Sequence, residues 1–238
     1  MKKLSLFALI VMLAAAVPAL AQGTTNFTGT ALSGLTYVGN SGDAQYVPAS
    51  GGAPALAQLY TPDSGLSDSA DSPAVFVQGP LGDLSGFTAS YDLYSSSGPV
   101  GTSPYWILWV NDPSEAQDIA IIGMGGPTLN GTSEIHVYDP NNVAGSYWGD
   151  TLSFLDSQTY GASAYTFGNM TVDWAGVEIG TWNNGDATIP ASAEFDSITV
   201  PSVPEGGSGS LYLLLAGAAC FGAMVLTRRL GSASAQAN

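Results

Sequence analysis

"YWILWV", Tyr105–Val110, is six consecutive apolar residues, two of them tryptophan, with proline before the run and Asn111-Asp112-Pro113 after it. A run this short, aromatic-rich and closed by turn residues reads as a β-strand. Side chains alternate between the two faces of a strand, so an apolar residue at every position predicts a strand that is covered on both faces or central in its sheet.

The segments around it have the same character. "AVFVQG", "FTASYDLYS", "DIAIIGM" (Asp118–Met124), "EIHVYD" (Glu134–Asp139), "MTVDWAGVEIGTW" (Met170–Trp182) and "EFDSITV" (Glu194–Val200) are short, rich in β-branched and aromatic residues, and bounded by Gly, Ser, Asn, Asp or Pro. No window keeps a helical period for three turns. Seven or more strands separated by turn signals predict an all-β, jelly-roll-like antiparallel β-sandwich over residues 22–200. No fixed-period repeat occurs, which argues against a propeller or β-helix.

Charge is partitioned along the chain. Its four basic residues are Lys2, Lys3, Arg228 and Arg229, whereas all nineteen acids lie between Asp43 and Glu205. A domain with no Lys or Arg cannot neutralise phosphates, so nucleic acid is excluded as a partner. Its acidity fits an exported surface that meets neutral molecules or cations, or serves solubility alone. The single cysteine, Cys220, lies outside the domain, so no internal disulfide supports it.

The two ends predict export. "MKKLSLFALIVMLAAAVPALAQG" has a basic start, an apolar stretch and Ala19-Leu20-Ala21 before Gln22, the pattern of a signal peptide over residues 1–21, cut by signal peptidase. Residues 201–210 form a Pro/Gly/Ser linker. Leu211–Thr227 is uncharged and near the lower limit of about 17–25 residues for a transmembrane helix. Arg228-Arg229 opens the basic stop and cytoplasmic tail, residues 228–238, and places the domain on the outer side.

Val203-Pro204-Glu205, a Gly/Ser spacer, the apolar helix and Arg228-Arg229 together resemble the PEP-CTERM sorting signal of Gram-negative bacteria that make extracellular polysaccharide. The resemblance implies processing by an exosortase-type enzyme, inner-membrane anchoring through the helix, and release to the cell surface or exterior. Gly206 replaces the second proline usual in that family, and nine residues follow the arginine pair where such tails are usually shorter. "TVDWAGVEIG" and "AEFDSITV" resemble the closing strands of concanavalin-like and carbohydrate-binding-module sandwiches, which implies the fold more than an activity.

Aromatic side chains can stack on the apolar face of a pyranose, and Tyr and Trp add a polar handle. Trp106, Trp109 and Trp174 sit in strand patterns and are expected in the core. Tyr147, Trp148 and Trp182 lie among Gly, Asn and Asp, where loops are expected, and are the candidates for binding extracellular polysaccharide. Asp139, Asp150 and Asp186 could contribute oxygens to a structural Ca²⁺, although no calcium-loop spacing is present and turn formation explains such residues equally well.

"EIHVYD" sets Glu134, His136 and Asp139 at the positions of the E-x-D-x-x-E strand of laminarinase-type glycoside hydrolases, but with His in place of the middle carboxylate. One histidine leaves little for a Ser-His-Asp triad, and no phosphate-binding glycine loop precedes a helix. The expected function is a non-catalytic polysaccharide-binding or matrix-associated module. A structural or adhesive surface protein without sugar binding, and a glycoside hydrolase using Glu134 and Asp139, are the alternatives.

Overall fold

Two antiparallel sheets account for nearly every predicted strand. A computed structural model describes residues 23–39, 43–62, 72–98, 104–111, 115, 117–124, 126–141, 147–161, 165–180 and 190–202. The signal peptide, Trp182, Asp186, the segment Val203-Pro204-Glu205, the apolar stretch Leu211–Thr227 and Arg228-Arg229 lie outside the described residues. Among the described residues no helix is long and apolar enough to cross a membrane.

The strands are β1 (Gly23–Thr28), β2 (Thr36–Val38), β3 (Ala44–Val47), β4 (Leu56–Thr61), β5 (Ala74–Gln78), β6 (Ala89–Ser97), β7 (Tyr105–Asn111), β8 (Ile119–Met124), β9 (Thr128–Leu129), β10 (Glu134–Tyr138), β11 (Trp148–Thr151), β12 (Thr171–Glu178) and β13 (Ala191–Ser202). One sheet has the order β3-β4-β13-β6-β9, with β1 also paired to β13. The other has the order β11-β10-β8-β7-β12-β5-β2. β4 pairs with β13 in the first sheet and β5 with β12 in the second, each antiparallel.

The expectation for "YWILWV" holds: β7 is the fourth of seven strands. Trp106, Leu108 and Val110 point into the core with Ile119 and Ile121 of β8, and Val172, Ala175 and Val177 of β12. From the facing sheet come Leu59, Tyr91, Phe195, Ile198 and Val200. Tyr91 links the layers, its ring 5.7 Å from Trp106 and 5.1 Å from Phe195, while its hydroxyl donates to the Pro104 carbonyl at 3.1 Å. Each such fully buried large side chain contributes about 1.5–3 kcal/mol of transfer free energy.

The six-stranded sheet carries a polar ladder that is bonded to itself. Gln45 donates to Gln58 at 2.8 Å, Gln58 to Glu194 at 2.8 Å, and Ser95 to Glu194 at 2.6 Å. This ladder crosses β3, β4, β13 and β6. Beside α1 (Leu152–Asp156), whose first turn is capped by the Thr151 hydroxyl accepting from the Phe154 N–H at 3.1 Å, the chain returns to β12 through the 3₁₀ turn Phe167–Asn169.

Candidate functional site

A two-layer sandwich whose central strand is apolar on both faces must turn one apolar face outward. On β7 that face consists of Tyr105, Ile107 and Trp109. The register extends it sideways: Trp109 stands opposite Trp174 of β12 and Ala120 of β8, Ile107 opposite Gly176 and Ile122, and Tyr105 opposite Glu178. Phe76 of β5 faces Gly176 from the other side. Trp109 and Trp174 are therefore not between the sheets, as their strand patterns suggested. They are partly buried on the outer face, packed against Ala74, Phe76, Tyr105, Ile107 and Ile122, whereas Trp106 is core at 1% exposure.

Glycine makes this surface possible. A Cβ at Gly176 would run into the Phe76 ring and the Val75 carbonyl, so the absence of a side chain lets the ring lie over β12. Held there, Phe76 meets Trp174 edge-on, with centroids 6.0 Å apart and planes at 89°, an arrangement favoured by the charge distribution of aromatic rings. A cavity of about 350 Å³ opens over these side chains, floored by Phe76, Ile107, Trp109 and Trp174 and edged by Ser72, Asp118 and Glu178. That size and mixture, apolar walls with few polar groups, is typical of small-molecule sites.

The polar groups are held in place. Tyr105 donates to Glu178 Oε1 at 2.6 Å, a bond buried in the sheet, and Asn111 Nδ2 donates to Asp118 Oδ1 at 3.0 Å. A bulge between Val172 and Trp174 interrupts the β12·β7 register. It brings Asp173 within electrostatic reach of Asp118: burial first, and the Asp118 charge second, push the Asp173 carboxyl above its ordinary value. Asp118 and Glu178 are tied to Asn111 and Tyr105, six residues apart on β7, so about 20 Å of strand separates them. Carboxyls that cleave a glycosidic bond stand about 5–9.5 Å apart.

The residues singled out in the sequence are distributed differently. Trp148, 53% exposed, lies on edge strand β11, its ring edge-on to His136 at 4.6 Å. Its neighbour Tyr147 turns the other way and packs on Phe167 at 5.6 Å, against the core. Alternation along β10 puts Glu134 and His136 on one face, with His136 Nε2 3.5 Å from Glu134 Oε1.

Asp139 lies just past β10 and is drawn to the buried side. Its Oδ1 accepts from the Tyr160 hydroxyl at 3.0 Å and the Asn141 N–H at 2.9 Å, and Tyr160 is fully buried. Burial pushes the Tyr160 hydroxyl up to about 12. Asp150 pairs with Ile135, four residues before Asp139, which separates the two acids by about 13 Å along the strand. Among the described residues no three His, Cys, Asp or Glu side chains converge as a metal site would require.

Sequence reasoning weighed Trp109 and Trp174 as sugar-stacking aromatics but placed them in the core, and did not single out Phe76, Ser72, Asp118 or Glu178, which line the same cavity. One signal was present: a doubly apolar strand in a two-layer fold. No protein-family model, curated protein or solved structure matches the chain, so the functional reading rests on these residues alone.

Proposed function

We propose that the chain is an exported, non-catalytic module that binds extracellular polysaccharide on the outer face of its seven-stranded sheet. The observation that carries this reading is the Trp109–Trp174 pair, set side by side over a cavity of about 350 Å³. Indole faces offer apolar area to the C–H face of a sugar ring, while Ser72, Asp118 and Glu178 at the margins can bond its hydroxyls. The contrast with the six-stranded sheet supports it: there Gln45, Gln58, Ser95 and Glu194 already bond one another, whereas here two half-buried tryptophans border a cavity.

The finer parts of the reading belong to the same proposal. The sandwich is rolled as a jelly roll, the successive pairings β4·β13 and β5·β12 in the two sheets being the feature that supports this. The tail is a PEP-CTERM signal, with Val203-Pro204-Glu205 as the processing region and Arg228-Arg229 as the stop. Signal peptidase and an exosortase-type enzyme are its processing partners, and the C-terminal helix anchors it until release. The absence of cleavage chemistry is supported by the distance between Asp118 and Glu178 and by the opposite facing of Glu134 and Asp139.

Affinity electrophoresis of the purified protein through gels containing soluble β-glucan or chitosan tests the sugar-binding reading. Retardation of the wild type that is lost in Trp109→Ala and Trp174→Ala supports it. Mobility unaffected by either polysaccharide contradicts it.

A further inference from the structure

All charges at the groove have one sign. Asp118 and Glu178 line it, Asp173 lies within electrostatic reach of Asp118, and no Lys or Arg occurs anywhere between Leu4 and Thr227 to answer them. A uronate-, sulfate- or phosphate-bearing glycan would therefore be repelled, and a cationic one attracted.

A second, independent feature points to a ligand. Ser72 is 5% exposed and lines the same cavity, yet among the described residues its Oγ has no hydrogen-bond partner. A buried hydroxyl left unbonded costs stability, and a ligand that supplies the bond restores it. Ser72 lies two residues before Ala74, the register partner of Glu178, so hydroxyl and carboxylate belong to the same end of the cavity. The Trp109–Trp174 pair and Asp118 form the other end.

Resting on the reading of this groove as a sugar site, we propose that its ligand is a glycan carrying free amino groups: a β-linked hexosamine polymer from which some N-acetyl groups have been removed. A sugar ring stacks on Trp109 and Trp174, an ammonium group stands between an indole face and the Asp118–Asp173 carboxylates, and a hydroxyl of a neighbouring unit bonds Ser72. An ammonium gains from the indole quadrupole as well as from the carboxylates, and the acidic surface steers a polycation toward the groove.

Titration calorimetry of the full chain with three probes tests this: the glucosamine hexamer, the N-acetylglucosamine hexamer and cellohexaose. At neutral pH and low salt the glucosamine hexamer should bind about tenfold or more tighter than the other two, an advantage eroded by added salt. Asp118→Asn combined with Asp173→Asn should bring the three ligands level. Equal binding of all three by the wild type overturns the amino-sugar assignment and leaves the groove reading standing, as does a preference that survives the double substitution. Failure of all three to bind overturns the groove reading itself.

Discussion

Trp109 and Trp174 stand directly opposite each other across β7 and β12, on the outer face of a sheet whose inner face is occupied by Trp106. Three tryptophans from two strand segments thus divide between holding the sandwich together and facing away from it. Trp106→Ala should cost about 3–5 kcal/mol, as core aromatic truncations do. Trp174→Ala should leave thermal unfolding within a few degrees of wild type while abolishing polysaccharide binding. Paired melting and binding curves check the division.

Gly176 is predicted to tolerate no side chain. In Gly176→Ala the new methyl meets the Phe76 ring and the Val75 carbonyl, so Phe76 must leave its place beside Trp174. Overpacking of this kind costs about 1–3 kcal/mol. Urea denaturation measures the loss, and a red-shifted tryptophan emission would report that Trp174 has lost its cover.

Ser72→Ala should separate stability from binding. It removes a buried hydroxyl that has no hydrogen-bond partner among the described residues, so the melting temperature should rise, with a gain in stability of up to about 1 kcal/mol. Sugar affinity should fall because the ligand loses that bond. A variant both less stable and weaker-binding would show that Ser72 is structural.

Two partly buried acids, Asp173 beside the groove and Asp156 in α1, predict an unusual pH response. Asp173 has its carboxyl raised above the ordinary value of 3.8 by burial and by Asp118, and Asp156 is likewise raised by burial. A carboxyl raised in the folded state binds its proton more readily than in the unfolded chain, so stability falls as pH rises through that window. Asp173→Asn should therefore melt higher than wild type at neutral pH, with the gain disappearing below pH 3.8, where both forms are protonated. Melting curves across acid pH test the sign.

At the alkaline end, burial pushes Tyr37, Tyr91 and Tyr160 up to about 12. Each favours the neutral phenol in the fold, so its contribution is complete below pH 10 and lost as pH rises toward about 12. Unfolding monitored by phenolate absorbance should be cooperative in that interval rather than a gradual titration from pH 10.

Much of the sandwich was legible because its central strands are short apolar runs between turn residues, as in β5, β7, β8, β10, β12 and β13. The edge elements were not. "GTTNFT" of β1 has one large apolar residue, Phe27, and is a strand because six register pairs tie it to the end of β13, a contact made across the length of the domain. The site was hidden for a related reason. Period-two alternation says that Tyr105, Ile107 and Trp109 share a face, but only packing decides which face meets the second sheet. Loop composition drew attention to Tyr147 and Trp148, which the strand β11 and its approach send in opposite directions.

The outer face of the seven-stranded sheet and the Trp148 edge are rival surfaces for sugar, and the proposed site is the first. Affinity electrophoresis in chitosan-containing gels, comparing wild type with Trp174→Ala and Trp148→Ala, tests it most directly. The wild type and Trp148→Ala should be retarded alike, and Trp174→Ala should run free. Loss of retardation in Trp148→Ala with Trp174→Ala unaffected would contradict it.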